Sequence, residues 1–239
     1  MARPLVIGHR GYSAKYPENT IASFIAALYY GADGVELDVW LSGDDVPVVI
    51  HDESTKRVSS VDLAVKKSSI SELRRAYLGM GQVVPTLEEV FMALPRNKLV
   101  LVEIKDVDAV EQVLELIERY GRIESTLLIS FEPEVLVKAR SLSSELKIGL
   151  DIDSVEKFLW GWSKREELKL YSLNPPIEGL KLYRSLADMY LEQVKSAGLK
   201  VFLWTVNDPK DALEWRDKVD GIVTDNLEEI IRALSHQKQ

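Results

Sequence analysis

The chain contains three histidines, and two of them stand among residues that could do chemistry with them. His9 lies in Ile7-Gly8-His9-Arg10-Gly11 and His51 in Val49-Ile50-His51-Asp52, with Glu36-Leu37-Asp38 between them. Each segment ends or continues a short apolar run of β-strand character. Histidine titrates near neutrality, so one imidazole can take up a proton while another gives one in the same pH range. Arg10 suits an anion and the carboxylates suit a cation. The set therefore fits metal-assisted acid/base chemistry on an anionic substrate. His236, near the C-terminal end, has no such neighbours and is expected to be inert.

These residues need elements to bring them together. Leu5–His9 reads as a strand. A helix follows, capped by Asn19, with Ile21, Phe24, Ile25 and Leu28 at helical spacing and an end near Gly31. Gly34–Leu41 is the next strand. The turn Gly43-Asp44-Asp45 then leads into Val46–His51, and so short a turn implies an antiparallel hairpin outside any parallel sheet. Residues 53–85 are mixed and polar, with a short helix expected over Ser71–Tyr77 and a break at Gly79-Met80-Gly81.

Thr86 caps the helix Leu87–Leu94, and the pattern becomes regular. Strands at Lys98–Lys105, Thr126–Phe131, Lys147–Ile152, Tyr171–Pro175, Lys200–Val206 and Gly221–Thr224 alternate with helices at Ala109–Tyr120, Pro133–Leu142, Val155–Leu168, Ser185–Ala197, Pro209–Lys218 and Leu227–Leu234. Without the hairpin strand this gives eight strand–helix units in 239 residues. Such alternation favours an α/β fold, a (β/α)8 TIM barrel, over an open doubly wound sheet. We expect one domain over 1–239, with 53–85 a small insertion after the second strand. No GxGxxG or GxxxxGK[ST] loop follows any strand, so dinucleotide and P-loop binding are not signalled.

A barrel carries its site at the C-terminal ends of its strands, and strand alternation sorts the faces. Glu36 and Asp38 share a face, as do Glu103 and Lys105, while Leu37, Val39, Val102 and Ile104 point out toward helices. Three carboxylates and a lysine thus enter one small volume. Carboxylates buried together repel and raise one another's pKa values. A divalent cation resolves this, and all-oxygen ligation suits Mg2+ or Ca2+. The plainer alternative is that Glu103 pairs with Lys105 or Arg10 as a structural salt bridge. Trp160 and Trp162 are expected on a half-buried helix face.

Composition bounds the partners. A chain that is 46% hydrophobic can bury a full core. With no cysteine, disulfides, thiolate metal sites and a cysteine nucleophile are excluded. A net charge of -8 and no Lys/Arg-rich run argue against nucleic acid or an anionic membrane surface. Leu5-Val6-Ile7 is too short for a signal-peptide core, and no apolar stretch has membrane-spanning length. A cytoplasmic protein acting on a small molecule is expected.

The whole chain resembles the glycerophosphodiester phosphodiesterase family. His9-Arg10-Gly11 with Pro17-Glu18-Asn19-Thr20, then Glu36-Leu37-Asp38 and His51-Asp52, match the family's opening signature. Pro85-Thr86-Leu87-Glu88-Glu89, Val102-Glu103-Ile104-Lys105, Ser130-Phe131, Trp204-Thr205-Val206-Asn207 and Asp220-Gly221-Ile222-Val223-Thr224-Asp225 match later segments. The region after His51-Asp52 departs from the family in lacking its frequent glycine-rich stretch.

The resemblance implies a TIM-barrel phosphodiesterase that uses one divalent cation, Mg2+ or Ca2+. It implies Glu36, Asp38 and Glu103 as metal ligands and His9 and His51 as the acid/base pair. Arg10 and Lys105 would hold the phosphate. Strand alternation cannot turn both Trp204 and Asn207 inward, so Trp204 is expected as a wall for glycerol carbons, with core packing the alternative, and Asn207 past the strand end. Which histidine is the acid, and whether water or the substrate's own 2-hydroxyl attacks, stay open. His51 is expected over the barrel mouth on a movable element. Two alternatives remain beside hydrolysis of glycerophosphodiesters: a lysophospholipase D-like enzyme with the same site, and a non-catalytic barrel that binds phosphate metabolites without turnover.

Overall fold

The computed structural model describes residues 3–235. Its strands are β1 (Leu5–Gly8), β2 (Gly34–Leu41), β3 (Pro47–Val49), β4 (Tyr77–Gly79), β5 (Gln82–Val83), β6 (Leu99–Ile104), β7 (Thr126–Ser130), β8 (Lys147–Asp151), β9 (Ser172–Asn174), β10 (Phe202–Leu203) and β11 (Gly221–Thr224). Eight of them run parallel in the order β10-β11-β1-β2-β6-β7-β8-β9. The two ends meet through the parallel bridges Ser172–Lys200 and Pro176–Trp204, so the barrel is nearly closed. Leu173 N donates to Lys200 O at 3.0 Å and Trp204 N to Pro175 O at 3.2 Å across that seam. The TIM-barrel expectation holds.

Alternation builds two cores. Leu37, Val39, Val102 and Ile104 point outward and pack with the helices in the main apolar shell. Ile7, Leu101, Leu127, Ile129, Phe202 and Val223 fill the inside of the barrel. Each large aliphatic or aromatic side chain so buried contributes roughly 1.5–3 kcal/mol, which fixes which face of each strand looks inward. The polar residues that follow on the same faces are thereby aimed at the mouth.

β3 pairs antiparallel with β2, Val39 opposite Val49 and Leu41 opposite Pro47, and stands outside the barrel as the short turn requires. Residues after it pack on β3 through a separate core of Val48, Ile50, Val65, Leu73, Ala76 and Val84. The short helix there spans Ile70–Leu73, not Ser71–Tyr77, because Ser69 caps it in a capping box with Glu72. β4 and β5 form a hairpin that the glycines at 79 and 81 had masked as loop.

Three other expectations need correction. The first helix is capped by Thr20, whose side chain accepts from Ser23 N, while Asn19 takes a positive φ of 56° and a different task. β10 covers two residues instead of Lys200–Val206, because beyond Leu203 the chain turns and Val206 N bonds Val223 O. A helix at Ile177–Leu182, started by Pro176, precedes the expected one, which spans Arg184–Ser196. Trp160 and Trp162 are partly buried against the main core, as expected. Among the described residues no helix is long and apolar enough to cross a membrane.

Candidate active site

The site begins where β1 and β11 end. Their register pairs Gly8 with Thr224, so the next residues on the two strands, His9 and Asp225, are neighbours. His9 Nδ1 lies 2.7 Å from Asp225 Oδ1. An ionised carboxylate only accepts, so Nδ1 carries the proton and Nε2 is left for the cavity, 4.0 Å from Glu36 Oε2. Asn207 Nδ2 and Ser13 Oγ also donate to Asp225, each at 2.7 Å. Burial opposes ionisation of Asp225, but the bonds from His9, Asn207 and Ser13 prevail and hold its carboxyl well below the usual range.

After His9 the chain must turn sharply. Arg10 and Gly11 take positive φ values of 53° and 85°. A Cβ on Gly11 would meet Ser23 Oγ and stand 2.6 Å from the Ser23 carbonyl carbon, so only glycine fits. The turn aims Arg10 N at Glu36 Oε2, 2.9 Å away. The Arg10 guanidinium donates to Glu18 Oε1 at 2.9 Å, with Nε 3.4 Å from Asp38 Oδ2.

β2 and β6 carry the acidic cluster. Asp38 faces Glu103 in register, with Glu36 one inward step below. All three are buried, and one oxygen from each lies within 4.8 Å of the others. Asp38 accepts from Asn19 Nδ2 at 2.7 Å and is ion-paired with Lys105 Nζ at 2.8 Å and with Arg10 Nε at 3.4 Å. Burial works against its charge, but Lys105, Arg10 and His51 outweigh it and hold Asp38 low. Glu36 and Glu103 go the other way. Burial, then repulsion from Asp38, pushes Glu103 up to about 8, and burial with both neighbours pushes Glu36 well above its ordinary value.

Lys105 pairs with Glu103 as well as Asp38, so the plain salt-bridge alternative is present in part. It does not account for Glu36, whose Oε1 is buried without a hydrogen-bond partner among the described residues. An orphaned carboxylate oxygen in an all-oxygen cluster is what a hard divalent cation fits. Glu36, Asp38 and Glu103 could hold one.

His51 follows β3 and reaches the cavity from above. Three bonds anchor it: Ile50 N to Asp38 O at 3.0 Å, Trp40 Nε1 to His51 O at 2.9 Å, and His51 Nδ1 with Asp52 Oδ1 at 2.6 Å. The hairpin that carries it is tied down, not hanging free. Burial lowers the His51 pKa, partly offset by Asp38. Asp52 is held in turn by Arg57 Nε at 2.6 Å, and Arg57 bridges to Glu18 and so to Arg10.

His9, Arg10, Glu36, His51, Glu103, Lys105 and Trp204 all line one cavity of about 160 Å³, and Asp38 lies behind it. Trp204 meets Phe131 edge to face at 5.5 Å and donates from Nε1 to Asn174 O at 2.9 Å. Asn207 sits past the end of β10, as expected, and its task is to hold Asp225. His236 lies outside the described residues. Sequence reasoning assigned no site task to Asp225, Asn19, Glu18, Arg57, Asp151 or Asn174. Asp225 carried one signal: in a closed barrel the last strand lies beside the first, which puts its end next to His9.

A parallel barrel with a charged cavity at the C-terminal ends of its strands is the frame of a TIM-barrel enzyme. The model of the glycerophosphoryl diester phosphodiesterase family matches residues 9–229. A glycerophosphodiester phosphodiesterase of Caldanaerobacter subterraneus is 36% identical over 97% of this chain and 98% of its own length. The crystal structure of a glycerophosphodiester phosphodiesterase from Thermotoga maritima is 35% identical, covers 97% of this chain and 99% of its own, and superposes with a TM-score of 0.85. A phosphodiesterase of Oleispira antarctica, solved with the product sn-glycerol-3-phosphate, is 28% identical with a TM-score of 0.86 over 97% of both chains. This chain belongs to the glycerophosphoryl diester phosphodiesterase family and is an enzyme of that class.

Proposed function

We propose that this enzyme hydrolyses glycerophosphodiesters to glycerol phosphate and an alcohol, with His9 and His51 as the acid/base pair. The observation that carries this is the convergence of both histidines, Arg10, Lys105, Glu36 and Glu103 on one cavity at the strand ends. A phosphodiester anion resists attack through its own charge. Arg10 and Lys105 are positioned to offset charge that develops on the phosphoryl oxygens, which is usually the largest catalytic term. Burial opposes the charge on Lys105, but Asp38 and Glu103 more than restore it, so it is a cation at working pH.

The two imidazoles are held alike. Asp225 fixes His9 and Asp52 fixes His51, each through Nδ1, so Nε2 is the nitrogen that serves the substrate. One removes the nucleophile's proton and the other protonates the leaving alkoxide, each worth about 10²- to 10⁴-fold. Glu36, Asp38 and Glu103 would hold the divalent cation. Bound there, Mg2+ or Ca2+ would act as a Lewis acid on the phosphate. Trp204 and Phe131 offer the apolar surface on which carbons of the substrate would rest.

Release of glycerol phosphate from glycerophosphocholine, with and without a chelator, tests this in wild type and His51→Ala. Turnover that survives both chelation and the substitution would sink it.

A second reading rests on one observation. An apolar groove of about 360 Å³ lies between helices Val155–Lys164 and Arg184–Ser196, lined by Val155, Phe158, Leu186 and Met189. Asp153, at its end, also lines the mouth beside Lys105 and Trp204. An acyl chain there would make lysophospholipids substrates. Faster cleavage of lysophosphatidylcholine than of glycerophosphocholine would favour that reading.

A further inference from the structure

Across the barrel from β1, the cavity wall holds a carboxylate that neither the proton transfers nor the cation cluster uses. Asp151 ends β8 on its inward face. The register Glu103–Ile129–Gly149 across β6, β7 and β8 sets it two residues nearer the mouth than Glu103. It is 3% exposed, and it lines the cavity. Its register partner on β9, Asn174, donates from Nδ2 to Asp151 Oδ1 at 2.9 Å. Asn174 Oδ1 accepts from Phe202 N at 3.4 Å, which turns the amide nitrogen toward the carboxylate.

One neutral donor does not satisfy a buried carboxylate, which has about four acceptor positions. Burial accordingly pushes Asp151 up to about 7. Lys105 and Lys157 nearby favour its ionised form, which has no proton to give a phosphate oxygen. Hydroxyl groups suit it, because they donate to the carboxylate while their carbons pack on the Trp204 and Phe131 rings beside it.

We propose that Asp151, clamped by Asn174, receives the glycerol hydroxyls of the substrate and selects polyol diesters over plain alkyl diesters. The inference rests on the hydrolase function proposed above and names the subsite that recognises the glycerol end.

sn-Glycerol 3-phosphate and n-propyl phosphate differ only in two hydroxyls. Titration calorimetry with each ligand, on protein supplied with Mg2+, gives the preference directly. Wild type should prefer glycerol 3-phosphate by roughly ten- to a hundredfold, the range for hydroxyls bound to a charged acceptor. Asp151→Ala should bring the ratio near one. The isosteric Asp151→Asn should fall between, since its amide oxygen still accepts.

A ratio that is the same in all three proteins overturns the inference. So does a parallel weakening of both ligands, which would mean that Asp151 acts through the charge on Lys105. Because the readout is binding, it decides the matter even if wild type fails to turn over glycerophosphocholine, a failure that would count against the parent proposal alone.

Discussion

Replacing Asp225 by Asn isolates the part that orientation of His9 plays. The carboxylate accepts three bonds, from His9 Nδ1, Ser13 Oγ and Asn207 Nδ2, all at 2.7 Å. An asparagine offers one acceptor oxygen and one NH2. With its oxygen toward His9 and Ser13, its nitrogen faces the Asn207 amide donor. With the oxygen toward Asn207, its nitrogen faces His9 Nδ1 and the imidazole loses its acceptor. At least one bond to a charged group is lost either way, each worth about 1.5–3 kcal/mol.

If the loss falls on His9, kcat drops by about tenfold to about two-hundredfold at 1.36 kcal/mol per decade. KM should stay within about threefold, because Asp225 touches the side of His9 turned away from the substrate. Steady-state kinetics on glycerophosphocholine read both. The depressed pKa of Asp225 adds a stability signature. Its contribution is present above the unfolded carboxyl pKa and is lost as pH falls through the lower folded value. Urea unfolding should therefore show wild type and variant converging at acid pH. Asp225→Ala leaves His9 no acceptor there at all, so an unchanged kcat in that variant, or a raised KM with kcat intact, would refute the orienting role.

Other outcomes follow from the buried charges. In protein stripped of divalent cations, Glu103 ionises only near about 8, against 4.5 ordinarily. Between those values the folded state keeps a proton that the unfolded state has lost, so stability falls as pH rises through that window. Calorimetric Tm in chelator should drop across it, and saturating Mg2+ or Ca2+ should flatten the slope; a Tm that climbs with pH would contradict the acid cluster. Away from the site, Arg122 is fully buried and donates to Phe91 O at 2.9 Å, to Leu94 O and to Pro95 O, closing the end of helix Leu87–Ala93. Arg122→Met should cost roughly 2–4 kcal/mol in urea unfolding while leaving kcat as it was; a cost below about 1 kcal/mol would show those carbonyls finding other partners.

Alternation made much of the site legible before any coordinates. Leu37 and Val39, or Val102 and Ile104, can only be buried outward, so Glu36, Asp38, Glu103 and Lys105 must turn inward. Gly34–Leu41, Gly221–Thr224 and Pro133–Leu142 also have the bounds that their β-branched runs and helix-opening proline suggest. What stayed hidden depends on contacts between distant segments. Asn19 looks like a helix cap, yet it takes a left-handed turn so that its amide reaches Asp38, and Thr20 caps instead. Asp151 and Asn174 meet only through the register of two neighbouring strands, and Arg57 reaches Glu18 across 39 residues. β10 reads as a longer strand because its apolar run continues, while its regular ladder stops at Leu203 and only single bonds from Trp204 and Val206 still reach its neighbours.

Acid and base are assigned to two different histidines, and the leaving group can separate them. Rates of His9→Ala and His51→Ala should be compared on glycerophosphocholine and on the glycerophosphodiester of 4-nitrophenol, whose phenolate departs without a proton. Both variants should lose about 10²- to 10⁴-fold on the choline ester. One of the two, lacking the acid, should recover most of its rate on the nitrophenyl ester. A wild-type rate from either variant on glycerophosphocholine, or losses that are the same on both esters in both variants, would contradict that assignment.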